Sequence, residues 1–260
     1  MKLNKILMGV AFSSLILNGA VYAATSFDSA QKKQIESVVH DYLLSNPEVL
    51  VKSLDLYQQK QIDQTQQTFK KIQDTSPKYA NRLFHQATDP IAGNPNGTIT
   101  VVQFADYQCP HCIEMTPVID NLIKKNKNVR VVFKEFPIRG PISELASKAA
   151  LAAQKQGKYY QFHNALMASK VEPLTEAAIF DIAKSAGLNI DQLKKDMNDQ
   201  AILAQITTNY QLAKDMELMW TPVIFIAKSN VSPSSKSTEI MFIPGQVNES
   251  QLADVINKMN

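Results

Sequence analysis

The chain has 260 residues, a length for one or two domains. Hydrophobic residues make up 45% and charged residues 20%, proportions that build a packed core and exclude a collagen-like, largely disordered or multi-span membrane protein. The formal charge is +3, and no basic stripe marks a nucleic-acid surface.

Residues 1–23 read as a secretory signal peptide. Lys2 and Lys5 precede an uncharged apolar stretch from Ile6 to Val21, and Val21-Tyr22-Ala23 offers a cleavage site before Ala24. The stretch falls short of the roughly 20 residues that a spanning helix needs. Loss of the two lysines leaves a mature chain close to neutral. The expected compartment is exported and oxidising, the bacterial periplasm, with association at the outer membrane left open.

Residues 24–76 read as a helical arm. Ile35, Val38, Val39, Tyr42 and Leu43 recur on one helix face. Ser45-Asn46-Pro47-Glu48 ends this helix and starts a second, with Asn46 as the expected cap and Pro47 in the first turn. The second helix carries Val51, Leu54 and Tyr57, then turns glutamine-rich from Gln58 to Gln73 while keeping Ile62, Phe69 and Ile72. Two such helices cannot bury their apolar faces alone, and the polar tail favours a projecting arm that joins another copy. The expectation is a homodimer, with a trimer as the variant, through residues 28–75. Residues 77–97 read as a linker or hinge, opened by Thr75-Ser76-Pro77 and rich in turn residues at Asp89-Pro90 and Gly93-Asn94-Pro95-Asn96-Gly97.

The remainder, 98–260, reads as an α/β domain. Ile99–Ala105 is a β-rich run, a helix follows to about Lys125, and Val129–Phe136 is a second buried strand, which together make a parallel βαβ unit. Helices are expected over Ser143–Gln156, Lys158–Met167, Glu176–Ala186 and Asp191–Met216. Strands over Val223–Ala227 and Glu239–Ile243 flank a polar hairpin loop, and a last amphipathic helix spans Asn248–Met259.

Both cysteines of the chain lie in Cys109-Pro110-His111-Cys112, where a strand meets a helix. A zinc or copper site needs further ligands, and His40, His85 and His163 are scattered. An inert disulfide closing two residues stabilises little. A redox dithiol accounts for the spacing, the exported context and the helix start together. At the helix N-terminus the Cys109 sulfur meets unpaired N–H groups and the positive end of the dipole, which favours its thiolate. Pro110 suits the first turn, His111 adds a hydrogen bond or a charge, and Cys112 is the resolving thiol. The sulfurs carry the electrons, so no cofactor and no metal is expected. Thr221-Pro222 precedes the next strand, and a trans proline at a strand start accounts for it in isolation.

With these residues in hand the chain resembles the thioredoxin superfamily and, within it, the DsbA-like thiol:disulfide oxidoreductases. The resemblance rests on Phe104-Ala105-Asp106-Tyr107-Gln108-Cys109-Pro110-His111-Cys112, on Phe133-Lys134-Glu135-Phe136-Pro137, on the helical block and on Thr221-Pro222. It implies a thioredoxin fold with an inserted helical domain at about 140–217, preceded by the N-terminal helical arm. It also implies that Pro222 is cis and faces the cysteines, with Thr221 in the substrate groove. The arm, with Tyr42-Leu43-Leu44-Ser45-Asn46-Pro47-Glu48-Val49-Leu50, is similar to the extension of a subgroup that includes ScsC-type proteins.

Two residues depart from the family pattern. Gln103 stands where many relatives carry a buried glutamate that moves protons for the resolving thiol, and Asp106 and Glu135 are the candidates to replace it. Trp220 stands where many carry glycine, as a substrate contact or a packed core residue. His163 reads as a structural helix residue. The resemblance implies an enzyme that forms disulfides in unfolded secreted proteins, or isomerises misoxidised ones. It further implies reoxidation by a DsbB-type membrane oxidase, and a DsbD-type reductase in the isomerising direction. From other classes, a copper-tolerance or metal-binding thiol protein and a non-enzymatic surface scaffold are the alternatives.

Overall fold

The computed structural model describes residues 27–169 and 173–259. The signal peptide expected at 1–23 lies outside the described residues. The chain divides into two compact units, residues 1–60 and residues 61–260.

In the first unit, helix α1 spans Ser29–Ser45 and helix α2, Glu48–Thr75, begins. Asp28 and Gln31 form a reciprocal capping box at the start of α1. Asn46, expected to cap α2, instead closes α1: its side-chain amide donates to the Tyr42 carbonyl at 2.8 Å. No α1 residue is buried, and Val38, Val39, Tyr42, Leu44, Val51, Leu54 and Tyr57 are all exposed.

The second unit is built on a five-stranded sheet ordered β1-β3-β2-β4-β5. Strands β1 (Ile91–Gly93), β2 (Ile99–Ala105), β3 (Val129–Glu135), β4 (Val223–Lys228) and β5 (Ile240–Ile243) pair antiparallel, except β2 with β3. That parallel pair is joined through helix α4 (Pro110–Lys125). The central strands alternate between two cores, as a period of two requires. Val101, Val131, Phe133, Ile224 and Ile226 face a core shared with α4 and with α10 (Glu249–Met259). Val102, Phe104, Val132, Val223 and Phe225 face the other, with Ile72 of α2 and with Leu83 and Phe84.

The segment 77–97 is not a linker. It forms helix α3 (Ala80–Phe84) and edge strand β1, with Ala80, Leu83 and Phe84 buried. The reason lies in β3. Lys134 is fully buried and ion-pairs with buried Asp89, and its ammonium also donates to the Arg82 carbonyl at 2.6 Å. A charge inside the fold needs such partners, and among the described residues this segment supplies them. Gly93 is held at φ +79°, where an added Cβ would meet the Val129 carbonyl oxygen at 2.6 Å.

Between β3 and β4 lie helices α5 (Pro141–Lys155), α6 (Tyr159–Met167), α7 (Glu176–Ser185), α8 (Ile190–Asp196) and α9 (Gln200–Asp215). The single helix expected over Asp191–Met216 is thus two. Asp199 breaks it, because its carboxylate accepts the Ala201 N–H and caps α9.

Candidate active site

The register of the sheet assembles the site. Phe104 pairs with Val223 across antiparallel β2 and β4. The residues leaving β2 and those entering β4 therefore emerge side by side. The first carry Cys109, and the second carry Thr221 and Pro222, whose peptide bond is cis.

Cys109 is the N-cap of α4, with extended backbone, and Pro110 takes the first helical position. The Cys109 carbonyl accepts the N–H groups of Cys112 and Ile113 at 3.0 and 3.1 Å. Both cysteines are free thiols and buried. The Cys109 thiol donates to the Thr221 carbonyl at 3.3 Å, so the two loops meet at the sulfur. The Thr221 hydroxyl oxygen is buried and has no hydrogen-bond partner among the described residues.

The two thiols ionise very differently. Cys109 is brought down to about 5, first by a hydrogen bond from Cys112, then by Thr221, the Cys112 N–H and the charge of Arg139, against the cost of burial. Cys112 is driven upward, because its proton is held by the Cys109 sulfur and because it is buried. His111 lies exposed at the rim. Its Nδ1 faces Gln246 Oε1 at 3.0 Å and Glu114 Oε2 at 3.3 Å. Glu114 first and Gln246 second raise its basicity, and the Cys109 charge adds to this.

Neither proton-transfer candidate presents its carboxylate to Cys112. Asp106 is spent on the loop itself: it accepts the Gln108 N–H at 2.7 Å, the Ser143 hydroxyl at 2.7 Å and the Arg139 N–H at 2.9 Å. It reaches Cys112 through the backbone, which lowers that thiol somewhat. Glu135 accepts hydroxyls from Tyr107 at 2.9 Å, Tyr159 at 2.6 Å and Ser147 at 2.6 Å. Burial nevertheless raises it to about 7. His163 is a buried residue of α6, as the sequence suggested: its Nδ1 lies 2.9 Å from the Tyr107 hydroxyl and burial lowers it to about 3. Trp220 packs its ring 5.5 Å from Phe69 of α2, which makes it a partly buried packing residue. Gln103 is buried in β2. The sequence reading missed Tyr107, Gln108, Arg139, Ser143 and Gln246. Only the first two carried a signal, their nearness to Cys109.

A dithiol at a helix start, against a cis-proline turn on a mixed sheet of this order, defines the thioredoxin class. Within it, the chain belongs to the DsbA-like family of thiol–disulfide oxidoreductases: residues 100–257 match the DSBA-like thioredoxin domain. Residues 31–64 match the copper resistance protein ScsC N-terminal domain. A thioredoxin-like oxidoreductase from Silicibacter pomeroyi is similar at 35% identity and a TM-score of 0.61, over 68% of this chain and 95% of that one. BcfH from Salmonella enterica Typhimurium is similar at 30% identity and a TM-score of 0.63, over 88% of this chain and 96% of that one. A probable disulfide bond formation protein D from Bacillus anthracis is 25% identical over 64% of this chain and 82% of its own length. The chain also matches the Na(+)/H(+) antiporter NhaA 3 of Salinispora tropica at 28% identity over 53% of its length, and there it spans 21% of that protein. No helix among the described residues is long and apolar enough to cross a membrane.

Proposed function

We propose that this protein is an exported thiol–disulfide oxidoreductase that forms disulfides in unfolded secreted proteins through Cys109 and Cys112. The observation that carries this reading is the contact of the Cys109 sulfur with the Thr221 carbonyl beside cis Pro222, with the two thiols ionised so unequally. In the oxidised enzyme a substrate thiolate attacks Cys109 Sγ. The Cys109–Cys112 bond breaks, and Cys112 leaves as a thiolate that takes up a proton. A second substrate thiolate then attacks the substrate sulfur of the mixed disulfide. The substrate disulfide forms, Cys109 leaves as its stabilised thiolate, and two electrons now rest on the enzyme dithiol. Thr221 and Pro222 hold the substrate chain by backbone hydrogen bonds. A DsbB-type membrane oxidase restores the disulfide, and no further cofactor is needed.

The exposed apolar residues of α1 and α2 and the match to an ScsC N-terminal domain support self-association through residues 28–75, as a homodimer or a trimer. Such an arm would set two active sites toward one substrate, which favours isomerisation when a DsbD-type reductase keeps Cys109 reduced. The family membership and the expected signal peptide support a periplasmic location. The test is oxidation of a reduced, unfolded protein by the disulfide form. Cys109→Ser, which can form no internal disulfide, abolishes it, and Cys112→Ser, given a substrate that already holds a disulfide, accumulates a mixed disulfide at Cys109 as that bond opens and releases a substrate thiolate. An active Cys109→Ser protein refutes the reading.

A further inference from the structure

The turn that meets Cys109 is itself held from outside the dithiol loop. Between the end of α9 and the start of β4 the chain runs through residues 216–222. The first half of this stretch is anchored, since Leu218 is buried and its N–H donates to the Ala213 carbonyl at 2.8 Å. The second half has no such anchor. Met219 is 78% exposed, and among the described residues the main chain of Met219 and Trp220 forms no hydrogen bond. The side chain of Trp220 is therefore what fixes the chain just before Thr221.

Trp220 rests on Phe69, with the ring centroids 5.5 Å apart. Phe69 also meets Phe242 of β5 edge-on at 5.8 Å, and Phe242 lies 5.2 Å from Phe225 of β4. The helix behind Phe69 is fastened to the sheet. Ile72 is buried, and Gln73, one turn beyond Phe69, completes the free edge of β5. Its side chain accepts the Phe242 N–H at 3.0 Å and donates to the Ser237 and Ile240 carbonyls. The same stretch grips the chain before the turn at two more points. Lys71 ion-pairs with Glu217, which sits at φ 58°, and the Tyr79 hydroxyl donates to the Asp215 carbonyl at 3.0 Å. The Lys71 pair is exposed and contributes little, so the Phe69–Trp220 contact is the hold nearest the sulfur.

We propose that Phe69 is a positioning residue for disulfide exchange: acting through Trp220, it sets the Thr221–Pro222 turn at the Cys109 sulfur. The proposal rests on the reading of this chain as a dithiol oxidoreductase acting on polypeptides. The Thr221 carbonyl stands 3.3 Å from Cys109 Sγ, and the same turn holds the substrate backbone in that reading. A turn that drifts by about 1 Å loses this alignment, which can cost up to roughly 100-fold in rate. Phe69 does not itself touch the reacting atoms. Its ring keeps Trp220 in place, and Trp220 keeps the next two residues in place.

The experiment uses the disulfide form of the full chain, and the rate with a reduced dithiol peptide is divided by the rate with dithiothreitol. Dithiothreitol has no backbone for the turn to hold, so the quotient removes changes in the disulfide itself. Phe69→Ala and Trp220→Ala are each expected to lower the quotient roughly 10-fold, and the double variant no further, because the two rings act in series. Phe69→Tyr keeps the ring and should restore the wild-type quotient. Where Phe69→Ala does not fold, Phe69→Leu, which keeps apolar bulk without the ring, takes its place. A folded variant of Phe69 whose quotient stays within about 2-fold of the wild type overturns the proposal, even with a lowered melting temperature, because the ring then only packs. Losses that multiply in the double variant overturn it as well. A wild-type disulfide that oxidises neither peptide nor dithiothreitol refutes the dithiol reading itself.

Discussion

The unpartnered Thr221 hydroxyl is a sharp point of test. Among the described residues it is a buried polar atom with nothing to bond to while Cys109 is neutral. Once Cys109 ionises, the hydroxyl can donate to the sulfur, and Thr221 is among the groups that lower this thiol. Thr221→Val keeps the side-chain shape and the backbone carbonyl, and removes that donor alone. A hydrogen bond to a charged group contributes about 1.5–3 kcal/mol, or roughly one to two pKa units at about 1.36 kcal/mol each. Cys109 titrates at about 5 in the wild type, so the variant midpoint should rise by that amount. Thiolate absorbance at 240 nm against pH measures it, and the pH dependence of iodoacetamide labelling checks it independently. Destabilising the thiolate disfavours the reduced form. The disulfide should therefore become a weaker oxidant by roughly 30–60 mV in equilibrium with glutathione, since about 30 mV corresponds to 1.4 kcal/mol for two electrons. A variant midpoint within about 0.3 units of the wild type refutes the hydroxyl's role and leaves the helix start and Cys112 to account for the thiolate.

Three further outcomes follow from the buried charges and the arm. Glu135 is raised from 4.5 to about 7, so its folded form holds its proton where the unfolded chain has lost it. Stability should fall as pH rises through that window, by about 3 kcal/mol, and Glu135→Gln should flatten the melting temperature between pH 4.5 and 7. Parallel curves for the two proteins would count against the assignment, because Asp89, raised in the same direction to about 6, is common to both. Asp89→Asn leaves the Lys134 ammonium buried without its carboxylate and should cost about 3–5 kcal/mol in denaturant unfolding, much of it recovered when Lys134→Met is added. A loss under about 1 kcal/mol would mean that the pair is not what docks residues 77–97. Removing residues 24–60 should spare oxidase activity and remove most recovery of a scrambled substrate. Removing 24–75 should in addition lower stability by about 2–3 kcal/mol, because Ile72 is core. Equal isomerase activity with and without residues 24–60 would deny the arm its role.

What the sequence showed, and what it hid, follows from how local each signal is. Period-two and period-3.6 patterns are local, so β2, β3, α4 and most of the helical block were legible, and the dithiol was legible from spacing alone. The β1 edge was not. It has three residues, only one of them buried, and its strand character comes from pairing with Val132, Val131 and Arg130, distant in sequence. The docking of 77–90 was hidden for a related reason. Lys134 in a strand reads as a solvated charge until its partner Asp89, 45 positions earlier, is placed against it. Asp106 was a candidate to replace the acid that Gln103 lacks, yet Ser143 and Arg139 come from beyond β3 to occupy its oxygens. Tertiary hydrogen bonds decide whether a carboxylate is free to work, and no window of sequence contains them.

The inequality of the two sulfurs bears on direction. In a mixed disulfide at Cys109, the release of substrate by Cys112 requires the Cys112 thiolate. In the free dithiol the contact with Cys109 and burial both hold Cys112 in its protonated form, and in the mixed disulfide burial still does. Gln103 cannot remove that proton, the Glu135 carboxylate is occupied by Tyr107, Tyr159 and Ser147, and the Asp106 carboxylate is held by the loop. Return of the intermediate to oxidised enzyme is therefore slow on this geometry. Attack by a second substrate thiolate, which expels the stabilised Cys109 thiolate, is favoured. That is the oxidising direction. Isomerisation needs the intermediate to last while substrate thiols search for new partners, and a resolving thiol kept protonated gives it that time. A buried, protonated Cys112 thus suits both of the activities proposed for this chain, and the redox state of Cys109 is what would select between them.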